Sequence, residues 1–314
     1  MDRQDRTRWA TAAGLGTGVA VFARRRDSLS PLGAVAAAIV GTTVYGAAGA
    51  RGSALLLTFF GSSTALSRLP RTRRPASQAD HAGTATTGPR RTLVQVMANG
   101  GVPAALAAAR LTRPGDTSDP AGPVVHAARE RVLAAAYAGA LAAANADTWA
   151  TEIGRGSRSP PRIVTTGRIA EPGVSGAVSP RGTAASLAGA LLIGLAHAAL
   201  AVEPGTALPA RSTAALRVAA AGFVGALMDS VLGATVQTVY LCRVCALRTE
   251  DRTHAHAPRQ PQLRRVRGLP GLTNDTVNLC ASLTGAGVAA LFARPHVPTA
   301  PRDARGASGL NGPS

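Results

Sequence analysis

Residues 145–154, with the sequence NADTWATEIG, carry the side chains best suited to chemistry. The segment ends a long apolar stretch and contains two carboxylates, Asp147 and Glu152. Because a charged side chain inside a membrane costs about 2.5 to 3.5 kcal/mol on insertion scales, such carboxylates usually indicate a functional site. Asn145, Thr148 and Glu152 share one helical face, and oxygen ligands of this kind suit Mg²⁺. Hydrogen bonding between helices explains the same residues equally well.

Polar residues also recur near the ends of other apolar stretches. These residues are Gln95, Asn99, Asp229, Ser230, Gln237, Asn274, Asp275 and Asn278. Several such groups in one helical bundle predict a polar cavity that the helices share. Structural hydrogen bonds between pairs of helices are the alternative explanation.

The loop after Glu152 is rich in arginine, hydroxyl and glycine residues. Its candidate phosphate-binding residues are Arg162, Thr165, Arg168, Ser175 and Gly176. Guanidinium groups bind phosphate oxygens bidentately, and the amides of exposed glycines add further donors. The alternative is a basic loop that contacts lipid head groups, in which no single arginine is specific.

The segments that position these residues are long and almost free of charge. The apolar segments are 9–23, 28–50, 52–67, 92–109, 132–146, 183–202, 218–242 and 276–293. Several approach the roughly 20 residues that cross about 30 Å of hydrocarbon. We therefore predict an all-α, polytopic integral membrane protein, a bundle of about eight transmembrane helices. A soluble alanine-rich protein would instead carry a charge at every turn or two of its helices.

The amino-acid composition agrees with this fold class. The 314 residues are 46% hydrophobic but only 3% aromatic, so alanine, leucine, valine and glycine supply the apolar surface. Small residues allow helices to approach closely in lipid. The glycine-rich runs 14–18, 222–225 and 285–287 therefore predict close contacts between helices.

The charge is strongly positive but is divided among loops. The formal net charge is +18, and the 34 basic residues are all arginine. They form short clusters instead of one basic patch, so we exclude a nucleic acid partner. Most lie at residues 24–26, 68–91, 155–181 and 243–267, on one side of the membrane if there are eight spans. The positive-inside rule makes that side cytoplasmic, and we predict a multi-pass protein of the cell membrane.

We predict one membrane-embedded domain at residues 1–293, followed by a disordered tail at 294–314. Within the domain, the basic loop 67–91 has a Pro, Ser, Thr, Gly and Arg composition that indicates disorder. A second loop, 242–267, contains two of the three cysteines and is a candidate for a small metal-binding unit.

Five polar segments resemble those of a known family. Segments 145–154, 161–166, 173–179, 229–237 and 273–278 are similar, in order and spacing, to the transmembrane protein 19 family. This family is also catalogued as domain of unknown function 92, and the resemblance covers residues 31–293. It includes the plastid phytyl-phosphate kinase, which makes phytyl diphosphate for tocopherol synthesis. The family is also distantly similar to nucleotide-dependent lipid kinases and cytidylyltransferases of membranes.

Cys242 and Cys245 are spaced as a metal or redox pair, and His254 and His256 follow them. Two thiolates and two imidazoles fit a closed tetrahedral Zn²⁺ site of structural role. Bacterial members of the family that the chain resembles often carry a cysteine where His256 stands here. The alternative is a pair of ordinary cysteines at the end of a span, and Cys280 is expected to pack as a small apolar residue.

The resemblance implies phosphoryl transfer from a nucleoside triphosphate to an isoprenyl phosphate whose tail lies among the membrane spans. Asp147 and Glu152 are expected to hold Mg²⁺, while Arg162 and Arg168 offset phosphate charge. The residues expected to complete the polar site are Asn145, Asp229, Asn274 and Asp275. Two alternatives remain at this point. One is a transporter that uses the same acids for ion coupling, and the other is a scaffold without catalytic activity.

Overall fold

The computed structural model describes residues 3–68, 90–112, 122–200, 206–244, 246, 248–250 and 263–294. Most of the predicted basic loop 67–91 and of the tail 294–314 lies outside these residues. Helices account for most of the described chain. They are α1 (Arg3–Arg25), α2 (Pro31–Ser67), α3 (Leu93–Ala109), α4 (Gly122–Gly154), α5 (Pro180–Leu200), α6 (Leu208–Thr235) and α7 (Asn274–Ala293).

Two small sheets connect the helices. Strand β1 (Arg162–Ile163) pairs antiparallel with β2 (Ala177–Val178), between α4 and α5. Strand β3 (Val239–Cys242) is the centre of a three-stranded antiparallel sheet with β4 (Arg248–Thr249) and β5 (Leu263–Arg267), between α6 and α7. Neither sheet builds a layer of its own, so the all-α prediction is confirmed.

Helix α2 reverses direction at Gly49. A straight helix of its 37 residues would span about 55 Å. The two ends instead lie side by side, because Arg68 Nη2, just after α2, donates to Ser28 Oγ, just before it, at 2.7 Å. Gly49 has φ 66 and ψ −162, a backbone conformation that residues with a Cβ rarely adopt. The two halves correspond to the predicted segments 28–50 and 52–67.

The seventh predicted segment, 218–242, is wrong at its C-terminal end. Helix α6 stops at Thr235, and β3 starts at Val239. Between them the amide of Thr238 donates to the carbonyl of Leu272, at 2.8 Å, instead of continuing the helix. The chain here is rich in Thr and Val, whose β-branched side chains are stiff in helices and favour strands.

Four helices of the described chain are long and apolar enough to cross a membrane, namely α2, α5, α6 and α7. Large apolar side chains point outward, as at Phe22, Leu195 and Leu283, which are exposed by 61%, 54% and 54%. Such a surface suits contact with lipid hydrocarbon and supports an integral membrane bundle. The count of eight spans also needs α1, α3 and α4, which do not reach that length and apolarity, so it stays a prediction.

Helix α4 lies at the centre of the bundle, and its residues 136–146 are buried. Gly225 of α6 and Gly285 of α7 both pack against Ala143 of α4. A Cβ on either glycine would collide with this alanine and with neighbouring backbone. The predicted glycine contacts are therefore confirmed for these two helices.

Helix α1 packs against the first half of α2. Gly16 lies against Thr42, whereas a Cβ at Gly14 or Gly18 would meet no atom within 4 Å. In the run 14–18, the predicted close contact therefore holds only for Gly16.

Candidate functional site

The polar residues gather at one end of the bundle, which we name the polar end. Ser67, the last residue of α2, donates to Glu152 near the end of α4, at 3.1 Å. Gly182, at the start of α5, packs against the end of α4. The amide of Thr238, after α6, donates to the carbonyl of Leu272, before α7, at 2.8 Å. Polar groups from separate segments of the sequence therefore share one end of the fold.

Asn145 joins three helices at the polar end, and its side chain is fully buried. Its Oδ1 accepts hydrogen bonds from Ser62 Oγ at 2.9 Å and Ser63 Oγ at 3.2 Å, both on α2. Its Nδ2 donates to the carbonyl of Gly189 on α5 at 2.8 Å. An amide oxygen has two lone pairs, and both are engaged here. The geometry thus favours a supporting role for Asn145 over contact with a metal ion.

Glu152 forms an ion pair with Arg155. Its Oε2 lies 3.2 Å from Arg155 Nη1, and its Oε1 accepts from Ser67 Oγ at 3.1 Å. Arg91, just before α3, also interacts with this carboxylate. Burial lowers the pKa of Arg91, and the charge of Glu152 acts in the opposite direction. The partners of Glu152 are therefore a hydroxyl and two guanidinium groups.

Asp147 of α4 interacts electrostatically with Asp229 of α6. Helices α4 and α6 run parallel toward the polar end, and Ala143 packs against Gly225. One turn further along each helix come Asp147 and Asp229, whose carboxyl groups interact electrostatically. The Oδ2 atom of Asp229 is buried and has no hydrogen-bond partner among the described residues.

Asp147 and Glu152 lie against different neighbours. Residues five positions apart on an α-helix differ in direction by about 140°. Glu152 accordingly contacts α2 through Ser67, whereas Asp147 interacts with Asp229 of α6. In the structure Asp147 therefore interacts with Asp229 of α6, and the assignment of Asp147 and Glu152 to one Mg²⁺ ion stays a prediction.

Two buried donors lie beyond the end of α6. Gln237 is fully buried, and its Oε1 accepts from Ser175 Oγ at 2.8 Å. Arg267, on β5, donates from Nη2 to the carbonyl of Gly233 at 2.7 Å. Gln237 Nε2 and Arg267 Nε have no partner within the described part of the chain. Buried polar atoms without partners are rare in folded proteins, so these donors indicate a place for a ligand or ordered water.

Partial burial also affects the pKa of this arginine. The pKa of Arg267 is lowered by burial, and the charge of Glu250 acts in the opposite direction. Glu250 acts on Asp229 as well. Glu250, at the end of β4, is thus close enough to interact electrostatically with both Asp229 on α6 and Arg267 on β5.

Ser175 and Gly176 belong to this region. A Cβ at Gly176, whose φ is 79, would collide with the backbone of Ala234 on α6. The predicted phosphate loop therefore packs directly onto the end of α6 at this point. At this point the loop holds Gln237 through Ser175, and Gly176 is packed against α6.

Arg162, Thr165 and Arg168 are exposed on the β1 side of the same loop. The guanidinium of Arg162 donates from Nη1 to the carbonyl of Gly167 at 2.8 Å, which closes the turn. The structure therefore does not bring these three residues to the buried donors. Their assignment as phosphate ligands stays a prediction. It requires that the phosphate group of a substrate binds at the exposed surface of this loop.

Asn274 and Asp275 occupy the first turn of α7. Thr273 precedes them as the N-cap, and its Oγ1 accepts from the Thr276 amide at 3.4 Å. An acidic side chain at this position is stabilised by the helix dipole. Asn274 is exposed. Their positions are explained by the start of a helix, whether or not they also contact a ligand.

Cys242 is fully buried at the end of β3. The pairing of β3 with β4 places the start of the Cys-x-x-Cys segment where the chain leaves β3. The other predicted ligands, Cys245, His254 and His256, lie outside the described residues. The zinc site therefore stays a prediction.

Asp147 and Asp229 are the carboxylates of α4 and α6 that could hold a cation at the polar end, and the Mg²⁺ assignment stays a prediction. Within the described ranges, no three His, Cys, Asp or Glu side chains form a metal-binding group. Mg²⁺ usually takes one or two carboxylates and completes its shell with water and phosphate. The unpartnered Oδ2 of Asp229 is consistent with that coordination.

Sequence reasoning missed Arg267 and three serines of α2, Ser62, Ser63 and Ser67. The serines form a polar stripe at the end of an apolar segment, a signal that could have indicated contact with Asn145. Arg267 carries no such signal, because it is one of many arginines in its loop. Only the pairing of β5 with β3 brings it to the end of α6.

Comparisons with known proteins place this fold in a family. The chain is 28% identical to Protein PGR of Arabidopsis thaliana over 272 residues, which cover 84% of this chain and 89% of that protein. It is also 28% identical, over 216 residues, to an uncharacterized membrane protein of Methanocaldococcus jannaschii, covering 69% of this chain and 78% of that protein. No solved structure matches it. The family described as "Integral membrane protein DUF92" matches residues 14–286, and the chain therefore belongs to the DUF92 family of integral membrane proteins.

Proposed function

We propose that this membrane protein is a phosphotransferase that adds a phosphoryl group from a nucleoside triphosphate to an isoprenyl phosphate, with Mg²⁺ at Asp147 and Asp229. One observation carries the proposal. Three buried side-chain atoms at the polar end lack hydrogen-bond partners among the described residues, and they are Asp229 Oδ2, Gln237 Nε2 and Arg267 Nε. One is an acceptor suited to a cation, and two are donors suited to phosphate oxygens.

The arrangement supports a division of roles along α6. Asp229 precedes Gly233 by one turn, and Gly233 is bound by Arg267. A phosphate held by Arg267 and Gln237 would therefore lie beyond the carboxylate pair, toward the loops. A Mg²⁺ ion bound between this phosphate and the carboxylate pair would offset negative charge on the transferring phosphoryl group.

Glu152 has a positioning role in this proposal. Its carboxylate is held by Ser67 on one side and holds Arg155 on the other. Arg155 also interacts electrostatically with Asp147. Glu152 therefore fixes a guanidinium group beside the proposed metal site, where it can contact phosphate.

In this proposal the protein has the arrangement that the sequence predicts, with eight spans in the cell membrane and the polar end in the cytoplasm. That orientation supports access by a nucleoside triphosphate, which is a cytoplasmic metabolite. The lipid tail of the acceptor would lie among the helices, with its phosphate at the polar end.

The test is diphosphate formation by purified protein in detergent. Geranylgeranyl phosphate and phytyl phosphate are supplied with CTP or ATP and Mg²⁺. We expect activity from the unmodified protein and a loss of about 100-fold or more in Asp229→Asn and Asp147→Asn, because transition-state charge would lose its main counter-charge. Glu130→Gln is the matched control, since Glu130 lies on the same helix as Asp147 but pairs with Arg110 at 2.8 Å near its other end.

An unmodified protein that is inactive with every isoprenyl phosphate tested would contradict the proposal. Full activity in both aspartate variants would contradict the assigned site. In either case a transporter or a non-catalytic scaffold would explain the buried acids better.

A further inference from the structure

A groove opens on the outer face of the bundle between α1 and the second half of α2. Its volume is about 380 Å³. Its walls are apolar along most of its length and basic where it reaches the polar end. The side chains that define it are Val19, Phe22, Leu57 and Phe60, with Arg26 and Arg68 at the basic end.

The apolar part of the groove faces outward. Phe22 is 61% exposed and Leu57 is 47% exposed. Between the walls, a Cβ at Gly61 would meet no atom within 4 Å, so the space above this glycine is open. In a membrane protein such a surface contacts hydrocarbon, and the groove gives a hydrocarbon chain two walls instead of one.

The basic end is held in place by several contacts. The Arg26 guanidinium lies over the Phe22 ring, 5.3 Å from its centroid. Arg68 Nη2 donates to the Arg26 carbonyl at 3.0 Å and to Ser28 Oγ at 2.7 Å. Both arginines are therefore fixed at the point where the groove leaves the helices.

The positive charge at this end is not neutralised by the nearby acid. Asp27 is engaged by Arg90 at 2.6 Å and by Arg24 at 3.8 Å. Within the described residues no carboxylate forms an ion pair with Arg26 or Arg68. A ligand that supplies both an apolar chain and an anionic group would complement the groove along its whole length.

We infer that the groove binds an anionic phospholipid, with one acyl chain along Val19, Phe22 and Leu57 and the head-group phosphate on Arg26 and Arg68. Guanidinium groups bind phosphate oxygens in a bidentate manner, and basic residues at a membrane surface attract anionic lipids. The groove is distinct from the proposed catalytic site. It uses the face of α2 that carries Gly61, whereas Ser62 and Ser63 face Asn145.

The test is native mass spectrometry of the purified protein with palmitoyl-oleoyl phosphatidylglycerol or phosphatidylcholine, which carry the same acyl chains. We expect one phosphatidylglycerol to be retained in preference to phosphatidylcholine. Replacing both arginines, as Arg26→Gln with Arg68→Gln, should reduce that preference by about tenfold. Asp229→Asn should leave it unchanged, so failure here is separable from failure of the phosphotransferase proposal.

A second variant tests the position of the chain. Gly61→Leu fills the open space of the groove and should reduce retention of phosphatidylglycerol. Gly14→Leu is the matched control, because Gly14 is equally open but does not line the groove. Equal retention of both lipids by the unmodified protein would overturn the inference. Undiminished retention by Gly61→Leu, in a protein that elutes as one species, would also overturn it.

Discussion

Asp147 and Asp229 occupy equivalent positions on two parallel helices, each one turn beyond the contact between Ala143 and Gly225. The contact brings the helix backbones close because one partner has no side chain. Two carboxyl groups in an apolar bundle are therefore held near each other, with Oδ2 of Asp229 buried and unpartnered in the described structure. Like charges so placed repel, and a cation between them would relieve the repulsion.

This repulsion predicts opposite effects on stability and on metal binding. Asp229→Asn should raise the free energy of unfolding by about 1 kcal/mol, because it removes an unpaired buried charge. It should also remove the stabilisation that Mg²⁺ gives to the unmodified protein. Thermal unfolding in detergent, with and without Mg²⁺, measures both effects. An equal Mg²⁺ response in the two proteins would show that the ion binds elsewhere or not at all.

The close packing around Ala143 of α4 can be tested from α7. Gly285→Ala should destabilise the bundle by about 1 to 3 kcal/mol, because its Cβ would overlap with Ala143 and the carbonyl of Gly139. Gly287→Ala on the same helix is the matched control, since its Cβ would meet no atom within 4 Å. For Gly287→Ala we expect no loss of stability, and a gain of up to about 1 kcal/mol from the higher helix propensity of alanine. Equal unfolding temperatures for the two variants would contradict the packing.

Much of the fold could be predicted because apolar length alone indicates membrane helices. Even the hairpin in α2 left a signal, as the predicted segments 28–50 and 52–67 meet two residues after Gly49. The end of α6 was missed because an apolar pattern does not distinguish a helix from the strand that begins at Val239. Capping and β-branched residues give only a weak local signal there.

The candidate site was predictable in its residue types but not in its pairings. Polar residues in apolar surroundings identified Asn145, Asp147 and Asp229. Which of them meet depends on the rotation of each helix, and that is set by contacts such as Ala143 with Gly225. A sequence without its tertiary contacts therefore could not tell Asn145, which is fully hydrogen-bonded, from Asp229, which is not.

The zinc prediction can be checked by metal content. Purified protein should contain one Zn²⁺ per chain if Cys242, Cys245, His254 and His256 form a tetrahedral site. Cys245→Ser should lose the metal, and chelation should lower the unfolding temperature of the unmodified protein. Cys280→Ser is the control, because Cys280 lies in α7. Metal-free protein of unchanged stability would exclude the site.

The reversal at Gly49 and the distribution of arginine together predict which residues face each side of the membrane. Ser28, Arg68 and Arg90 are linked at the polar end, since Arg68 binds Ser28 and Arg90 binds the neighbouring Asp27. Ala50 follows the reversal and must lie at the opposite end, about 18 residues or 27 Å along the first half of α2. The positive-inside rule predicts that the polar end is cytoplasmic. In intact cells, a membrane-impermeant maleimide should therefore label Ala50→Cys but should label Arg90→Cys only after permeabilisation.

The unsubstituted chain supplies the background for this labelling. As a second measurement, a reporter fused after Asp119 should read as exterior, and one fused after Arg74 should read as cytoplasmic. Labelling of both cysteines from the same side would contradict the hairpin, whereas labelling with the two sides exchanged would keep the hairpin and reverse the orientation.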